Sequence, residues 1–500
     1  MLYELFHALT QVLQPETFSL MLVGIGIGFV VGILPGLGGP VTLALMLPFT
    51  FAMDPVQAFA FLLGMSVVTA TTGDLTSVLF GIPGEATSAA AALDGFPMTR
   101  RGEAGRALGV VLSSSAIGGL MGAFMLALAV PLIRPIVLAL GPPEFFVLTL
   151  LGLTFVVTLS GAKVLKGLIM AALGLFVALV GIDSQEGVPR YTFDQLYLFD
   201  GVPLIPIVIG LFGGPELLQL MLSKKSIAGS TQSPPKKISG VSQGIRDTWT
   251  HWRVVLQSSG IGVLIGLVPG MGGSVAQFIA YGHAKQMSKH PEQFGKGSIE
   301  GLVASGANNN AKDASSLIPT IAFGIPGGAN TAVLLSAFLI LGLNPGPEML
   351  TTNIGVTFSM VWVIVLANLI AVALAFLLLR PLARVTFVSG PLLVPLLMIL
   401  LGLGAYTTNN SFGDILIMLG AALVGVICIH WEWPRVPFLL AVVLGAIAER
   451  YLFLSISLFG WDWLTRPVVI GLLVLMALVL TMPMARGAIA RTRNKQEIGT

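Results

Sequence analysis

The chain has 500 residues and a net charge of +3; 55% of its residues are hydrophobic and 10% are charged, against about 25% charged residues in a soluble domain. This composition, with a mean hydropathy of +0.92, excludes a large soluble domain and indicates that lipid surrounds most of the chain. The single cysteine, Cys428, excludes an intrachain disulfide and a cysteine-based metal cluster.

Long apolar stretches recur along the whole chain. A membrane-spanning helix needs roughly 20 mostly apolar residues, and roughly a dozen such segments follow one another here. Their apolar runs are continuous, without the alternation that the strands of an outer-membrane barrel require. Residues 1–13 lack the basic region of a cleavable signal peptide. We therefore expect an all-α polytopic membrane protein with roughly 12 transmembrane segments.

One polar stretch divides the chain. Residues 223–253 hold six lysines and arginines against one acid, Asp247, together with a Ser-Pro-Pro turn. Such a stretch is typical of a linker between membrane halves. It separates a first membrane repeat at 15–222 from a second at 254–455, and residues 456–500 predict one extra helix and a basic tail.

Three short motifs occur in the same order on both sides of this linker. They pair Gly32-Ile-Leu-Pro-Gly-Leu-Gly-Gly39 with Gly266-Leu-Val-Pro-Gly-Met-Gly-Gly273, Phe80-Gly-Ile-Pro-Gly84 with Phe323-Gly-Ile-Pro-Gly327, and Leu168-Ile-Met with Leu416-Ile-Met. Any one match is weak in a chain with 60 glycines and 30 prolines. Their shared order indicates an internal duplication.

The loop charges indicate that the two halves have opposite orientations. Arg100, Arg101 and Arg106 follow the second motif of the first half, whereas the corresponding loop of the second half has Glu348 and no base. Because basic loops mark the cytoplasmic side, we predict an inverted-topology repeat with the linker and the basic tail cytoplasmic. The chain would then lie in the inner membrane of a bacterium, with its amino terminus outside.

Paired Pro-Gly motifs inside membrane segments predict broken helices. Proline removes a backbone donor and glycine tolerates irregular backbone, and such backbone is accepted within a membrane only where it is buried in protein or lines a cavity. A half-helix that starts there presents free N–H groups to an anion. The alternative is a glycine-rich packing site or a simple kink. The predicted substrate-binding residues of these breaks are Pro35, Gly36, Gly38, Gly39, Pro83, Gly84, Pro269, Gly270, Gly272, Gly273, Pro326 and Gly327.

Amide and hydroxyl side chains precede each Gly-Ile-Pro-Gly motif. We predict that they donate to substrate carboxylates, or coordinate Na⁺ together with backbone carbonyls. The alternative is an aqueous loop, or hydroxyls bonded to their own helix. The predicted substrate-binding residues of this cluster are Thr71, Thr72, Asn308, Asn309 and Asn310.

Charged residues within membrane segments are functional candidates by default. Asp74, Lys312 and Asp313 are the predicted ion-coupling residues. Asp74 would bind a cation or carry a proton, and Lys312 would face a substrate carboxylate, unless Lys312 and Asp313 only pair with each other. The sequence offers no nucleophile–base pair, metal-ligand set or Walker motif, so we expect neither an enzyme nor a resident cofactor.

The chain resembles the large membrane subunit of tripartite tricarboxylate transporters over nearly its whole length. The resemblance rests on the duplicated Pro-Gly-x-Gly-Gly motif, on Gly81-Ile-Pro-Gly-Glu-Ala-Thr, on Asp94-Gly-Phe-Pro-Met98, and on the asparagines at 308–310, which are three in a row here. It implies a small membrane subunit and a periplasmic solute-binding protein as partners. It also implies uptake of citrate or another organic acid, driven by Na⁺ or H⁺.

The paired breaks suggest how transport would proceed. We expect them to face each other near the midplane and to hold the substrate, while a moving bundle carries the site across the membrane in an elevator-like motion. Three alternatives remain open: another class of binding-protein-dependent carboxylate carrier, an ion channel, and an intramembrane enzyme. The type of partner subunits encoded by neighbouring genes would identify another class of carboxylate carrier. Flux that needs no binding protein would indicate an ion channel.

Overall fold

A computed structural model describes residues 1–33, 38–159, 164–183, 187–222, 239–269, 273–385 and 390–481. Most of the described chain is helical. Within these ranges the strands β1 (Gly181–Ile182) and β2 (Pro189–Arg190) form an antiparallel hairpin in which Gly181 pairs with Arg190.

The first half contributes ten α-helices to the described ranges, and a π-helical turn at Ile209–Gly213 joins the last two. They are α1 (Leu2–Val12), α2 (Pro15–Gly32), α3 (Gly39–Met46), α4 (Pro55–Phe80), α5 (Ala89–Arg100), α6 (Ala104–Ala139), α7 (Pro142–Leu159), α8 (Val164–Ala178), α9 (Leu204–Val208) and α10 (Gly214–Leu222).

The second half and the segment after it contribute eleven α-helices to the described ranges. They are α11 (Val241–Thr250), α12 (Trp252–Gly266), α13 (Gly273–Met287), α14 (Ile299–Ser315), α15 (Leu317–Phe323), α16 (Ala329–Ile340), α17 (Ile354–Val385), α18 (Gly390–Tyr406), α19 (Phe412–His430), α20 (Val436–Phe459) and α21 (Pro467–Thr481).

Six helices of the described chain are long and apolar enough to cross a membrane: α2, α4, α6, α17, α19 and α20. Seven shorter apolar helical stretches of 10–17 residues accompany them. This architecture confirms the prediction of an all-α polytopic membrane protein. The count of roughly 12 spans and the inverted arrangement stay predictions.

Several of the short helices result from breaks at the repeated motifs. Helix α2 ends at Gly32 and α3 starts at Gly39, while α12 ends at Gly266 and α13 starts at Gly273. Each Gly-Ile-Pro-Gly motif ends a helix as well, because its first glycine takes the left-handed conformation, with φ of +67° at Gly81 and +70° at Gly324.

Helices α4 and α14 occupy the centre of the molecule, and each has a defined start. Gln57 accepts a hydrogen bond from the Asp54 amide at 3.3 Å to form the capping box of α4. The Ser298 hydroxyl accepts from the Gly301 amide at 3.2 Å to cap α14. Both helices are buried along most of their length, so their polar side chains must find partners inside the protein.

The packing around these helices is matched between the halves. Helices α2 and α17 pack on α4, and α1 packs on α17. In the same way, α12 and α6 pack on α14, and α11 packs on α6. Glycines allow the close approach: a Cβ at Gly28 would lie 2.7 Å from the Met65 carbonyl oxygen, and one at Gly262 would lie 2.8 Å from that of Asn308. At these glycines α2 therefore touches the main chain of α4, and α12 touches the main chain of α14.

The predicted domain boundaries stay predictions. Residues 223–238 of the predicted linker and residues 482–500 of the predicted tail lie outside the described ranges. The rest of the linker range contains the amphipathic helix α11, which packs on α6. Helix α1 precedes residue 15, where the first predicted repeat starts.

Candidate functional site

Polar side chains of α4 and α14 meet where the two helices pack together. The side-chain amide of Asn310 donates to Thr71 Oγ1 at 3.2 Å and to Asn368 Oδ1 at 2.7 Å. The amide of Asn309 donates to Asp74 Oδ2 at 3.2 Å and, more weakly, to a main-chain carbonyl of α4 at 3.4 Å. The structure thus brings together four residues that the sequence predicts for the site.

Two other predicted residues face away from this meeting point. The Asn308 amide donates to the Ser258 carbonyl of α12 at 3.1 Å, and the Thr72 hydroxyl donates to the Val68 carbonyl of its own helix at 2.8 Å. A Cβ at Gly32 would collide with the Thr72 hydroxyl. Asn308 therefore joins α14 to α12, and Thr72 fits the alternative considered above of a hydroxyl bonded to its own helix.

Several oxygen atoms of this cluster are buried without a hydrogen-bond partner in the described part of the chain. They are Asp74 Oδ1, Asn309 Oδ1, Asn310 Oδ1 and Asp313 Oδ2; Asn308 Oδ1, on the amide that faces α12, is also buried without a partner. Asp74, Asn309 and Asn310 are at most 3% exposed. Buried oxygens without donors are unfavourable, so a group of them indicates a place where a donor or a cation binds.

Lys312 and Asp313 form an ion pair with each other. The Lys312 side chain is 9% exposed and that of Asp313 is 19% exposed, so both charges lie largely out of solvent. Lys312 binds Asp313 Oδ1 and leaves Asp313 Oδ2 without a partner among the described residues. Mutual pairing was the alternative to a role in coupling, and it accounts for one oxygen of Asp313 but not the other.

The N-terminus of α3 lies against both Gly-Ile-Pro-Gly loops. Glu85, which follows the first loop, accepts a hydrogen bond from the Gly39 amide at 2.7 Å, and Thr87 donates to the other Glu85 oxygen at 3.2 Å. A Cβ at Gly38 would lie 3.2 Å from Glu85 Cγ. A Cβ at Gly39 would lie 2.7 Å from Oδ1 of Asn330, which follows the second loop. The bare glycine backbone is therefore what lets these segments meet.

The glycine that ends each loop packs tightly on the helix before it. A Cβ at Gly84 would lie 2.6 Å from the Gly73 Cα, and one at Gly327 would lie 2.6 Å from the Ser316 Cβ. Pro83 and Pro326 immediately precede these glycines. Of the remaining predicted residues, Pro269 is buried, Gly273 starts α13, and Pro35, Gly36, Gly270 and Gly272 lie outside the described residues.

Asp94 has a structural role. Its carboxylate accepts from the Gly297 and Ser298 amides at 2.8 Å each and from the Tyr281 hydroxyl at 2.8 Å. These bonds tie α5 to the start of α14 and to α13. With three donors, Asp94 has little capacity left for a ligand.

Sequence reasoning missed Asn330 and Asn368. Asn368 is 1% exposed and accepts from Asn310. Its signal was an amide in the otherwise apolar stretch 360–379 of α17, since polar side chains within a membrane segment usually face a protein partner. Asn330 lies three residues after the second Gly-Ile-Pro-Gly motif, as Thr87 lies three residues after the first. This equivalent position in the repeat is its only signal in the sequence.

Comparison with known proteins places these observations in a family context. Residues 18–440 match the family described as the tripartite tricarboxylate transporter TctA family. The uncharacterised 52.8 kDa protein in the TAR-I ttuC' 3' region of Agrobacterium vitis is 31% identical over 464 residues, which cover 92% of each chain. An uncharacterised protein in the TAR-II ttuC' 3' region of the same organism is 30% identical over 215 residues, which cover 42% of this chain and 89% of that protein. No solved structure matches the chain.

Proposed function

Since this chain belongs to the tripartite tricarboxylate transporter TctA family, we propose that it is the membrane carrier for uptake of a small organic carboxylate, such as citrate or a related acid. The family is one of transporters, so the chain is a transporter and not an enzyme. Its helices make it a multi-pass membrane protein.

The proposed partners follow from the family. Members are the large subunits of three-part systems, so a small membrane subunit and a periplasmic solute-binding protein would act with this chain. The binding protein would deliver the acid to the outer face of a bacterial inner membrane, and a gradient of Na⁺ or H⁺ would drive uptake. The linker and the carboxyl terminus would be cytoplasmic, which their basic residues support.

The proposed architecture is a pair of inverted repeats that work in an elevator-like motion. Two features support it: the reversed loop charges, and the matched packing of α2, α17 and α1 around α4 with that of α12, α6 and α11 around α14. A binding site at the interface of two repeats is the usual arrangement in secondary carriers.

The proposed substrate site comprises the ends of the broken helices and the amides between α4 and α14. One observation carries this proposal: the Glu85 carboxylate binds the Gly39 amide at the start of α3. A carboxylate therefore fits the backbone end that follows the first Pro-Gly break, where amides and the helix dipole favour an anion. A carboxylate of the substrate would bind there in exchange for Glu85, close to Asn309 and Asn310.

Bulky substitution within the breaks tests this assignment. Gly36→Trp and Gly270→Trp are expected to abolish uptake while the protein remains folded in the membrane. Gly26→Trp is the control, since Gly26 is an exposed glycine of α2 whose Cβ would meet no atom within 4 Å. Uptake that is unchanged in both motif variants would refute the site.

A further inference from the structure

A small cavity lies between α4, α14, α16 and α17, next to the candidate site. Its volume is about 20 Å³, which is room for one water-sized particle and far too little for an organic acid. Six of the thirteen residues that line it are polar: Ser66, Asn310, Asp313, Asn330, Thr331 and Asn368.

Two oxygens of this wall are buried and have no donor from the described ranges: Asn310 Oδ1 and Asp313 Oδ2. Asn310 is 3% exposed. Its amide nitrogen binds Thr71 and Asn368, and exchanging the amide's nitrogen and oxygen would set two amide oxygens against each other at Asn368 and lose that bond. The cavity therefore presents two acceptor oxygens that receive no hydrogen bond from the described residues.

Acidic side chains lie in and next to this site. Asp74, Glu85 and Asp313 interact electrostatically with one another, and Lys312 pairs with Asp313. Each further carboxylate that is ionised adds a negative charge that the Lys312–Asp313 pair does not compensate. Uncompensated charge is costly in a buried site, and a small cation that enters the cavity would offset it.

We propose that this cavity is a binding site for a monovalent cation, Na⁺, and that this is the coupling ion of the carrier. The ligand set favours Na⁺ because it combines one carboxylate with neutral amide and hydroxyl oxygens, whereas Ca²⁺ sites usually employ several carboxylates. The described residues hold no group of three or more His, Cys, Asp or Glu side chains for a transition metal. This assignment rests on the proposed transport function and specifies its driving ion.

The geometry also gives the ion a mechanical role. Asn310 and Asp313 belong to α14, whereas Asn330 and Thr331 start α16, directly after the second Gly-Ile-Pro-Gly loop. Asn330 also contacts the start of α3 at Gly39. Na⁺ in the cavity would therefore fix the second loop relative to α14 and to the half-helix that is proposed to receive the substrate.

Na⁺ binding can be measured without substrate. The full chain is purified with its small partner subunit, and its thermal unfolding midpoint is followed as NaCl replaces choline chloride at constant ionic strength, with KCl as a second series. We expect a saturable rise of the midpoint with Na⁺, since a ligand that binds the folded state stabilises it. Asp313→Asn and Asn310→Leu are expected to move the half-saturating Na⁺ concentration upward by at least about tenfold.

Asn308→Leu is the matched control. It makes the same change on the same helix, but the Asn308 amide binds Ser258 and does not line the cavity, so its Na⁺ response should equal that of the wild type. Asp313→Asn keeps the shape of the side chain and remains informative if Asn310→Leu lowers the yield of folded protein.

A wild-type midpoint that is the same in NaCl and choline chloride would overturn the proposal, as would a normal Na⁺ response in Asp313→Asn. Uptake driven by a pH gradient without Na⁺, and dependent on the binding protein, would refute the ion assignment alone. The proposed transport function would stand in that case.

Discussion

Close packing of α12 on α14 should make the chain sensitive to a single added methyl group. A Cβ at Gly262 would lie 2.8 Å from the Asn308 carbonyl oxygen and 3.2 Å from the Ala311 Cβ, whereas a Cβ at Gly260 would meet nothing within 4 Å. Both glycines lie inside α12, two residues apart. Gly262→Ala therefore overpacks the contact with the site helix, and Gly260→Ala does not.

The two substitutions share one favourable contribution and differ in one unfavourable one. Replacing a helical glycine by alanine stabilises the helix by about 0.5–1 kcal/mol, and this gain is common to both variants. Overpacking costs about 1–3 kcal/mol and applies to Gly262→Ala. The variants should thus differ by about 1–3 kcal/mol in free energy of unfolding, which is about 5- to 150-fold in the ratio of folded to unfolded protein.

Reversible unfolding of the purified protein in detergent would measure this difference. The first half supplies a replicate, because a Cβ at Gly28 would lie 2.7 Å from the Met65 carbonyl oxygen and one at Gly26 would meet nothing within 4 Å. Gly28→Ala should therefore be less stable than Gly26→Ala. Equal stabilities within both pairs would refute the close approach of the helices around α4 and α14.

Three further predictions concern single side chains. Asp74→Asn should reduce ion-driven uptake by about tenfold or more, since its buried carboxylate is a proposed coupling group; wild-type uptake with the variant in reconstituted vesicles would count against it. Arg466→Gln should lower the free energy of unfolding by about 3–5 kcal/mol, because the Arg466 guanidinium lies 2.6 Å from the carboxylate of Glu144, which is 2% exposed. The double variant with Glu144→Gln should recover much of this loss. A double variant as unstable as Arg466→Gln would contradict the ion pair. Single cysteines at 101 and 348, replacing Arg101 and Glu348 in a background without the native cysteine, should react with an impermeant reagent from opposite sides of the membrane; reaction from one side would contradict the inverted repeat.

Much of the fold could be predicted because its causes are local in the sequence. Continuous apolar runs predict membrane helices, and the duplicated Pro-Gly and Gly-Ile-Pro-Gly motifs predict where helices end. Helix α4 stops at Gly81 and α15 stops at Gly324, as the motifs require. Family membership and the absence of an enzyme function were also predicted and are confirmed by the family match.

The partners of individual side chains could not be predicted. Asn308, Asn309 and Asn310 are identical in type, but successive residues of a helix point about 100° apart, so one amide binds α12 and the other two bind α4. Which neighbour each amide meets depends on how α12 and α4 pack around α14, and one sequence does not record that packing.

Glu85 shows the same limit at longer range. The sequence marks it as an acid near a break, but its bond to the Gly39 amide joins residues 46 positions apart. A Cβ at Gly38 would lie 3.2 Å from Glu85 Cγ, so glycine at this position leaves space for the approach. The motif therefore indicated an anion site, whereas the carboxylate that meets it in this structure became visible only from the fold.

Carboxylate uptake into vesicles tests the central claim most directly. The chain and its small partner are reconstituted, and uptake of radiolabelled citrate and of a panel of small di- and tricarboxylates is measured with and without the binding protein and an imposed Na⁺ gradient. The account predicts uptake of at least one acid that requires both the binding protein and the gradient. Carboxylate flux that is independent of both, or no uptake of any acid by a folded complex with its ligand-loaded binding protein, would contradict it.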